Sequence, residues 1–179
     1  MGTEREADQE FTVIKSTTII ITFLLEIGSM IPESKLIRSE LTIRELALPE
    51  DVLLARKSLV RWVALSLGMI HPNESRRLLL DILDALFEFH LKNEQPTTKD
   101  IIAKLEEMTK TKQNPKAVYY HLLRLKELGI LSRKKGRYQL GDGEKRSLRE
   151  IFREFYLKKA DTAFGNIATA LDKLESNYR

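Results

Sequence analysis

Nine basic side chains and a single acid, Glu127, lie between Lys110 and Arg137, a local net charge of +8 in a chain whose formal total is only +4. The remainder therefore carries −4. Lysine and arginine at this density neutralise phosphates, so the window is a candidate footprint for a nucleic acid. Within it, Lys116, Tyr120 and Arg124 recur at about one helical turn and share a face with Ala117 and Glu127, opposite Val118, Leu122 and Leu125. Tyr119 falls on the core side of that wheel, and His121 sits between core positions, so both read as packed side chains. Arg133, Lys134, Lys135 and Arg137 crowd around Gly136, as the tip of a hairpin would. The amides of Gln113 and Asn114 precede the helix, where side chains can meet base edges. Thr97 and Thr98 open the helix before it, where hydroxyls and N–H groups can meet a phosphate. A lysine-rich turn by itself is commonly just a solvated surface; what raises this one above that reading is its coincidence with a basic helix face.

Enzymatic chemistry finds little support. There are no cysteines, which removes disulfides, thiolate metal sites and thiol nucleophiles. His71, His90 and His121 lack metal-ligand spacing. Gly141 and Gly143 are two glycines in a turn rather than a dinucleotide fingerprint, and no Gly-Lys-Ser/Thr phosphate loop is present. Glu106 and Glu107 are adjacent, so on a helix they diverge. No catalytic residue, metal or cofactor is expected.

The elements that must position the basic residues follow from local signals. With 42% hydrophobic and 31% charged residues in 179, the chain predicts a folded protein, mainly α with a small β-hairpin. Residues 1–10 lack periodicity and read as a disordered N-terminus. Residues 11–70 read as a helical extension, in which the β-branched run from Val13 to Ile21 leaves strand open for one part. Pro32 predicts a helix over 33–45, and Pro49 another over 50–67 that stops at Gly68. The latter is apolar on most sides around Trp62 and needs contacts on more than one face. A helix over 75–91 follows, with Leu79, Ile82, Leu83, Leu86 and Phe87 as its apolar stripe. Thr97 and Asp100 form a capping box for a short helix burying Ile101, Ile102, Leu105 and Met108. Pro115 at a first helical position and Gly129 as a left-handed cap bound the basic helix. Two short extended runs around Gly136 make the hairpin, and Ser147 with Glu150 caps a last helix over 147–179.

That succession of helix, capped helix, turn, helix, glycine, basic hairpin and long helix resembles the winged helix-turn-helix DNA-binding proteins. Asn114 to Leu131 looks like the recognition helix and its exit into the wing, and Arg133 to Leu140 looks like the wing. The last helix is similar in placement to the dimerisation helix of bacterial and archaeal transcription regulators of the PadR and MarR types. The resemblance covers Ser75 to Leu140 well, the last helix loosely and the first 70 residues hardly at all. It departs from the simplest helix-turn-helix proteins in a longer turn before Pro115. It implies a DNA-binding domain over 75–141 that places the Pro115 helix in the major groove of double-stranded DNA. Rival readings are a protein-interaction module of the same fold and an RNA-binding one.

Leu157, Ala160, Phe164, Ile167, Leu171, Leu174 and Tyr178 alternate spacings of three and four, a coiled-coil seam that predicts a homodimer. The apolar segment from Thr17 to Ile31 is interrupted by Glu26, Gly28 and Ser29 and falls short of the roughly 20 residues that span a bilayer. The start of the chain is acidic on balance, unlike a signal peptide. The expectation is a cytoplasmic protein without a membrane partner.

Overall fold

In a computed structural model the described residues are 35–143 and 145–178, and the chain divides into two compact units, 1–40 and 41–179. The readings for 1–10 and for the β-branched run after Phe11 lie outside the described residues. The second unit is mainly helical with one two-stranded antiparallel sheet. Its elements are α1 (Glu50–Leu53), α2 (Arg56–Ser66), α3 (Arg77–Leu91), α4 (Thr98–Thr109), α5 (Pro115–Glu127), β1 (Leu131–Lys134), β2 (Arg137–Leu140) and α6 (Leu148–Asn177). Among the described residues no helix is long and apolar enough to cross a membrane.

Two expectations for the region before α2 are corrected. The helix predicted over 33–45 is not formed in its described part, since residues 37–49 carry no helix. Helical spacing there was weak, and tertiary bonds fix the backbone instead. Arg44 N–H donates to the Ser66 carbonyl at 2.8 Å, and its guanidinium donates to the carbonyls of Leu65 and Ile70 at 2.5 and 3.1 Å. These acceptors lie at the C-terminal end of α2 and just beyond it, where carbonyls lack helical partners. The helix predicted from 50 to 67 is split into α1 and α2, because Ala55 takes an extended conformation, φ −126° and ψ 120°, as the N-cap of α2. The second face that α2 required is met partly by this strap. Trp62 Nε1 donates to the Ala47 carbonyl at 2.8 Å, and Thr42 lies so near Gly68 that a Cβ there would meet Thr42 Cβ at 2.5 Å. Gly68 also has φ +68°, so the helix stop needs glycine on both counts.

The core is one cluster. Val60 and Ala64 of α2, Leu79, Ile82, Leu83 and Leu86 of α3, Ile101 and Leu105 of α4, and Val118, Leu122 and Leu125 of α5 are buried together with Tyr138 and Leu140 of β2. The apolar stripe of α3 and the core side of α5 are those read from their spacing. The first turns of α6 join this cluster. Ile151 is buried, Phe152 packs edge-on to Phe87 at 6.0 Å between centroids, and Tyr156 Oη donates to the Leu67 carbonyl at 2.6 Å. Burial pushes the Tyr156 hydroxyl up to about 12, so it stays a donor.

Beyond Tyr156 the helix packs on nothing described. Leu157, Phe164, Ile167, Leu171 and Leu174 are each about half exposed or more, and Tyr178 is 84% exposed. The seam is therefore not an internal helix contact among the described residues.

Candidate nucleic-acid interface

α5 is oriented by both of its ends. At its start Asn114 caps the helix, its Oδ1 accepting from Lys116 N–H at 2.9 Å, with Pro115 at the first position. At its end the chain turns through Gly129, φ +82°, with Gly129 N–H donating to the Lys126 carbonyl at 2.9 Å and Ile130 N–H to the Leu125 carbonyl at 3.1 Å. These two bonds form a Schellman motif, and buried Ile130 and Leu125 supply its apolar contact. The exit into β1 is thus fixed relative to the helix axis, and with it the position of the hairpin.

The hairpin is fastened at its base and open at its tip. Leu131 pairs with Leu140 and Lys134 with Arg137, leaving Lys135 and Gly136 as the turn. Both have positive φ, 49° and 81°, the combination of a type I′ turn. Lysine is an unusual occupant of the first position, where Asn or Gly relieves the backbone. At the base Tyr138 N–H donates to the Pro96 carbonyl at 2.8 Å, and the Tyr138 ring is buried. β2 is thereby tied to the segment leading into α4.

All nine basic residues of the window are exposed, and the structure divides them by what holds them. Arg133 stacks its guanidinium on the Tyr138 ring, 5.2 Å from the centroid. Arg137 donates to the Gln95 carbonyl at 3.0 Å, and Lys134 Nζ to the Asp142 carbonyl at 3.3 Å. These contacts orient the three side chains without neutralising them. Lys116, Arg124 and Lys135 have no ion-pair partner among the described residues.

Other candidate residues are already employed. Thr97 caps α4 in a reciprocal box: its Oγ1 accepts from Asp100 N–H at 3.4 Å, and Asp100 Oδ2 accepts from Thr97 N–H at 2.8 Å and from the Thr97 hydroxyl at 2.9 Å. Those bonds, the backbone one first, hold the Asp100 carboxyl below its usual range. Thr98 is half-buried with its hydroxyl 3.5 Å from Tyr138 Oη. Gln113 donates from its amide to Thr109 Oγ1 at 2.8 Å and to Thr111 at 3.1 Å, while its N–H donates to Glu106 Oε1 at 3.0 Å. It closes the long turn between α4 and α5, a role that sequence spacing does not show.

One residue is placed otherwise than its spacing suggested. Tyr119 is 48% exposed, beside Tyr120 at 58% and Leu123 at 41%. Val118, Leu122 and Leu125 suffice to fill the interface with α3 and α4, so the core face of α5 is narrower than expected and Tyr119 lies outside it. His121 is half-buried as read, its ring edge-on to Tyr120 at 5.4 Å. Burial first, then the charges of Arg76 and Arg124, hold its pKa below 6.5, so it adds no charge to the face at neutral pH.

Elsewhere cations are paired with acids, and three of them share one cluster. Arg56 Nε donates to buried Asp84 Oδ1 at 2.5 Å, and Arg56, Lys92 and Lys104 all bond Glu88 between 2.8 and 3.0 Å. Lys92, Lys104 and Arg56, in that order, hold the Glu88 carboxyl down at about 2. This cluster borders an apolar groove of about 840 Å³ between α2, α3 and α6. No group of three His, Asp or Glu that could hold a metal occurs among the described residues.

The candidate surface is thus bipartite: an open helix face and a basic hairpin tip, fixed to one another through the Gly129 turn. No family, no curated protein and no solved structure matches the chain.

Proposed function

We propose that the chain is a winged helix-turn-helix protein that binds double-stranded DNA as a homodimer and regulates transcription. α5 enters the major groove, and the hairpin is the wing that grips flanking backbone. The observation that carries this reading is the location of charge. All nine cations of the +8 window are exposed on or beside one helix and one hairpin, and none of them forms an ion pair among the described residues, Arg137 alone lying near enough to the Asp100 carboxylate to help lower its pKa. A helix about 10 Å across fits a groove about 12 Å wide. Lys116, Tyr120 and Arg124 then serve bases and phosphates, while Arg133, Lys134, Lys135 and Arg137 serve phosphates or, through Arg137, the minor groove. Thr98 retains its backbone N–H at the start of α4 for a phosphate, whereas the Thr97 N–H and both hydroxyls have partners in the fold. Asn114 keeps its amide nitrogen, and Gln113 belongs to the turn.

The exposed seam of α6 supports the dimer, since so long an apolar stripe is normally covered. Two copies of α5 would then meet half-sites about one helical turn of DNA apart. Titration of the full chain with duplex DNA at several salt concentrations tests the reading. Tight, salt-dependent binding weakened by Arg124→Ala and Lys135→Ala is expected. Binding no tighter than micromolar and indifferent to salt would sink it, and preference for single-stranded RNA or for an acidic protein would replace it.

A further inference from the structure

The open face of α5 is not what a helix built for guanine or adenine would carry. Lys116, Tyr119, Tyr120 and Leu123 stand at spacings of three, four and seven, a single stripe over the first two turns. It is about 10 Å long, enough to cover about three base pairs. Three of its four members present carbon surface, each more than 40% exposed. Side chains that read adenine or guanine by hydrogen bonds are Asn, Gln, Arg and Lys, and of these the stripe carries Lys116 alone, at its first position. Here Gln113 spends its amide on Thr109 and Thr111, Asn114 spends Oδ1 on the helix cap, and Arg124 stands at the edge of the stripe. What remains at the centre is a Leu and two Tyr rings inside a strongly basic surface. The major-groove feature that suits apolar carbon is the 5-methyl group of thymine.

We infer that Tyr119, Tyr120 and Leu123 make this face of α5 a reader of thymine methyl groups in duplex DNA. The inference rests on the DNA-binding reading above. In it Lys116 and the wing hold the helix in the groove by charge, which carries no sequence information, and the apolar stripe supplies the preference. A side chain that covers a methyl group gains by removing it from water, so each contacted thymine contributes about a fourfold preference over deoxyuridine.

The test uses the full chain and a duplex enriched by it from a random pool. The same duplex is then prepared with deoxyuridine for thymine, which removes only the methyl groups. The enriched duplex should contain thymines in its core, and the deoxyuridine version should bind about fourfold more weakly for each contacted position. Leu123→Ala and Tyr119→Ala should reduce that ratio to under twofold, whereas Tyr119→Phe, which keeps the ring, should preserve it. Lys135→Ala should weaken both duplexes equally. All these positions are exposed, and circular dichroism melts would verify that each variant folds. Equal binding of the two duplexes by the unaltered chain overturns the inference, as does an undiminished ratio in both alanine variants, while salt-dependent DNA binding would leave the broader reading standing. If no duplex is enriched or bound, the DNA-binding reading falls and the inference falls with it.

Discussion

Two groups of cations in this protein have opposite fates. Arg56, Lys92 and Lys104 converge on Asp84 and Glu88, so their charge is cancelled where α2, α3 and α4 meet. Lys116, Arg124 and Lys135, on α5 and the hairpin, form no ion pair among the described residues. The first group therefore serves the fold, and the second is open to an anion from outside. Counting lysines and arginines along the chain does not separate the two, because for Arg56 and Lys104 acids distant in sequence do the cancelling.

The largest separation between the groups should come from salt. If about six cations of α5 and the hairpin meet phosphates, duplex affinity falls about 1,000-fold between 50 and 200 mM salt. Urea unfolding over the same range should move little, because the paired cluster is partly shielded from solvent. A salt response confined to unfolding would reverse the assignment of the two groups.

Single substitutions should divide the same way. Arg56→Ala leaves the Asp84 carboxylate buried without its donor, a loss of about 1–3 kcal/mol in unfolding free energy, with DNA affinity unchanged. Arg124→Ala should stay within about 0.5 kcal/mol of the parent in stability yet bind duplex several-fold more weakly. Urea titrations and fluorescence anisotropy on the same two proteins would expose any crossover.

Acid should discharge the carboxylates of the paired cluster, while the lysines and arginines of the open one keep their charge. Glu88 titrates at about 2 in the folded chain, against an ordinary value of 4.5. A depressed folded value means that the stabilisation is complete above the ordinary value and is lost as pH falls from there towards 2. Denaturation midpoints should drop across that interval, and Glu88→Gln should flatten the drop. His121 has the same sign in a higher window. Its folded pKa is below 6.5, so the folded state disfavours the proton and stability declines as pH falls through that value.

The smallest effect concerns Lys135, which occupies a left-handed turn position at φ +49°. Lys135→Asn should stabilise the hairpin by a few tenths to about 1 kcal/mol and remove one phosphate contact, lowering the salt slope by about 1. Stabilisation without loss of affinity would return Lys135 to the ordinary surface.

Much of the interface was readable because its determinants are local. The Thr97 and Ser147 capping boxes, Pro115 at the start of α5, the Gly129 turn and the Lys135-Gly136 tip each depend on residues at most a few positions apart. The strap over 41–49 was not readable, because the Arg44 guanidinium fixes it by reaching carbonyls more than twenty residues away. Nor was the exposure of Tyr119, which depends on how much of α5 its neighbours cover. The engagement of Gln113 required the geometry of a turn whose length was visible but whose path was not. Across 75–141, spacing placed helices and hairpin in order, whereas the partners of individual polar side chains were tertiary facts.

The last hydrogen bond of α6 to the rest of the described fold is that from Tyr156 to Leu67. About six turns continue past it with hydrogen bonds only within the helix itself and their large apolar side chains about half exposed or more. Helices in proteins draw most of their stability from packing of an apolar face, so these turns form the loosest part of a gradient in local stability. Their amide protons should exchange with solvent far sooner than those of α3 or α5. Whatever covers the seam would slow that exchange, which makes the protection of residues 157–177 a gauge of assembly that can be read without any DNA present.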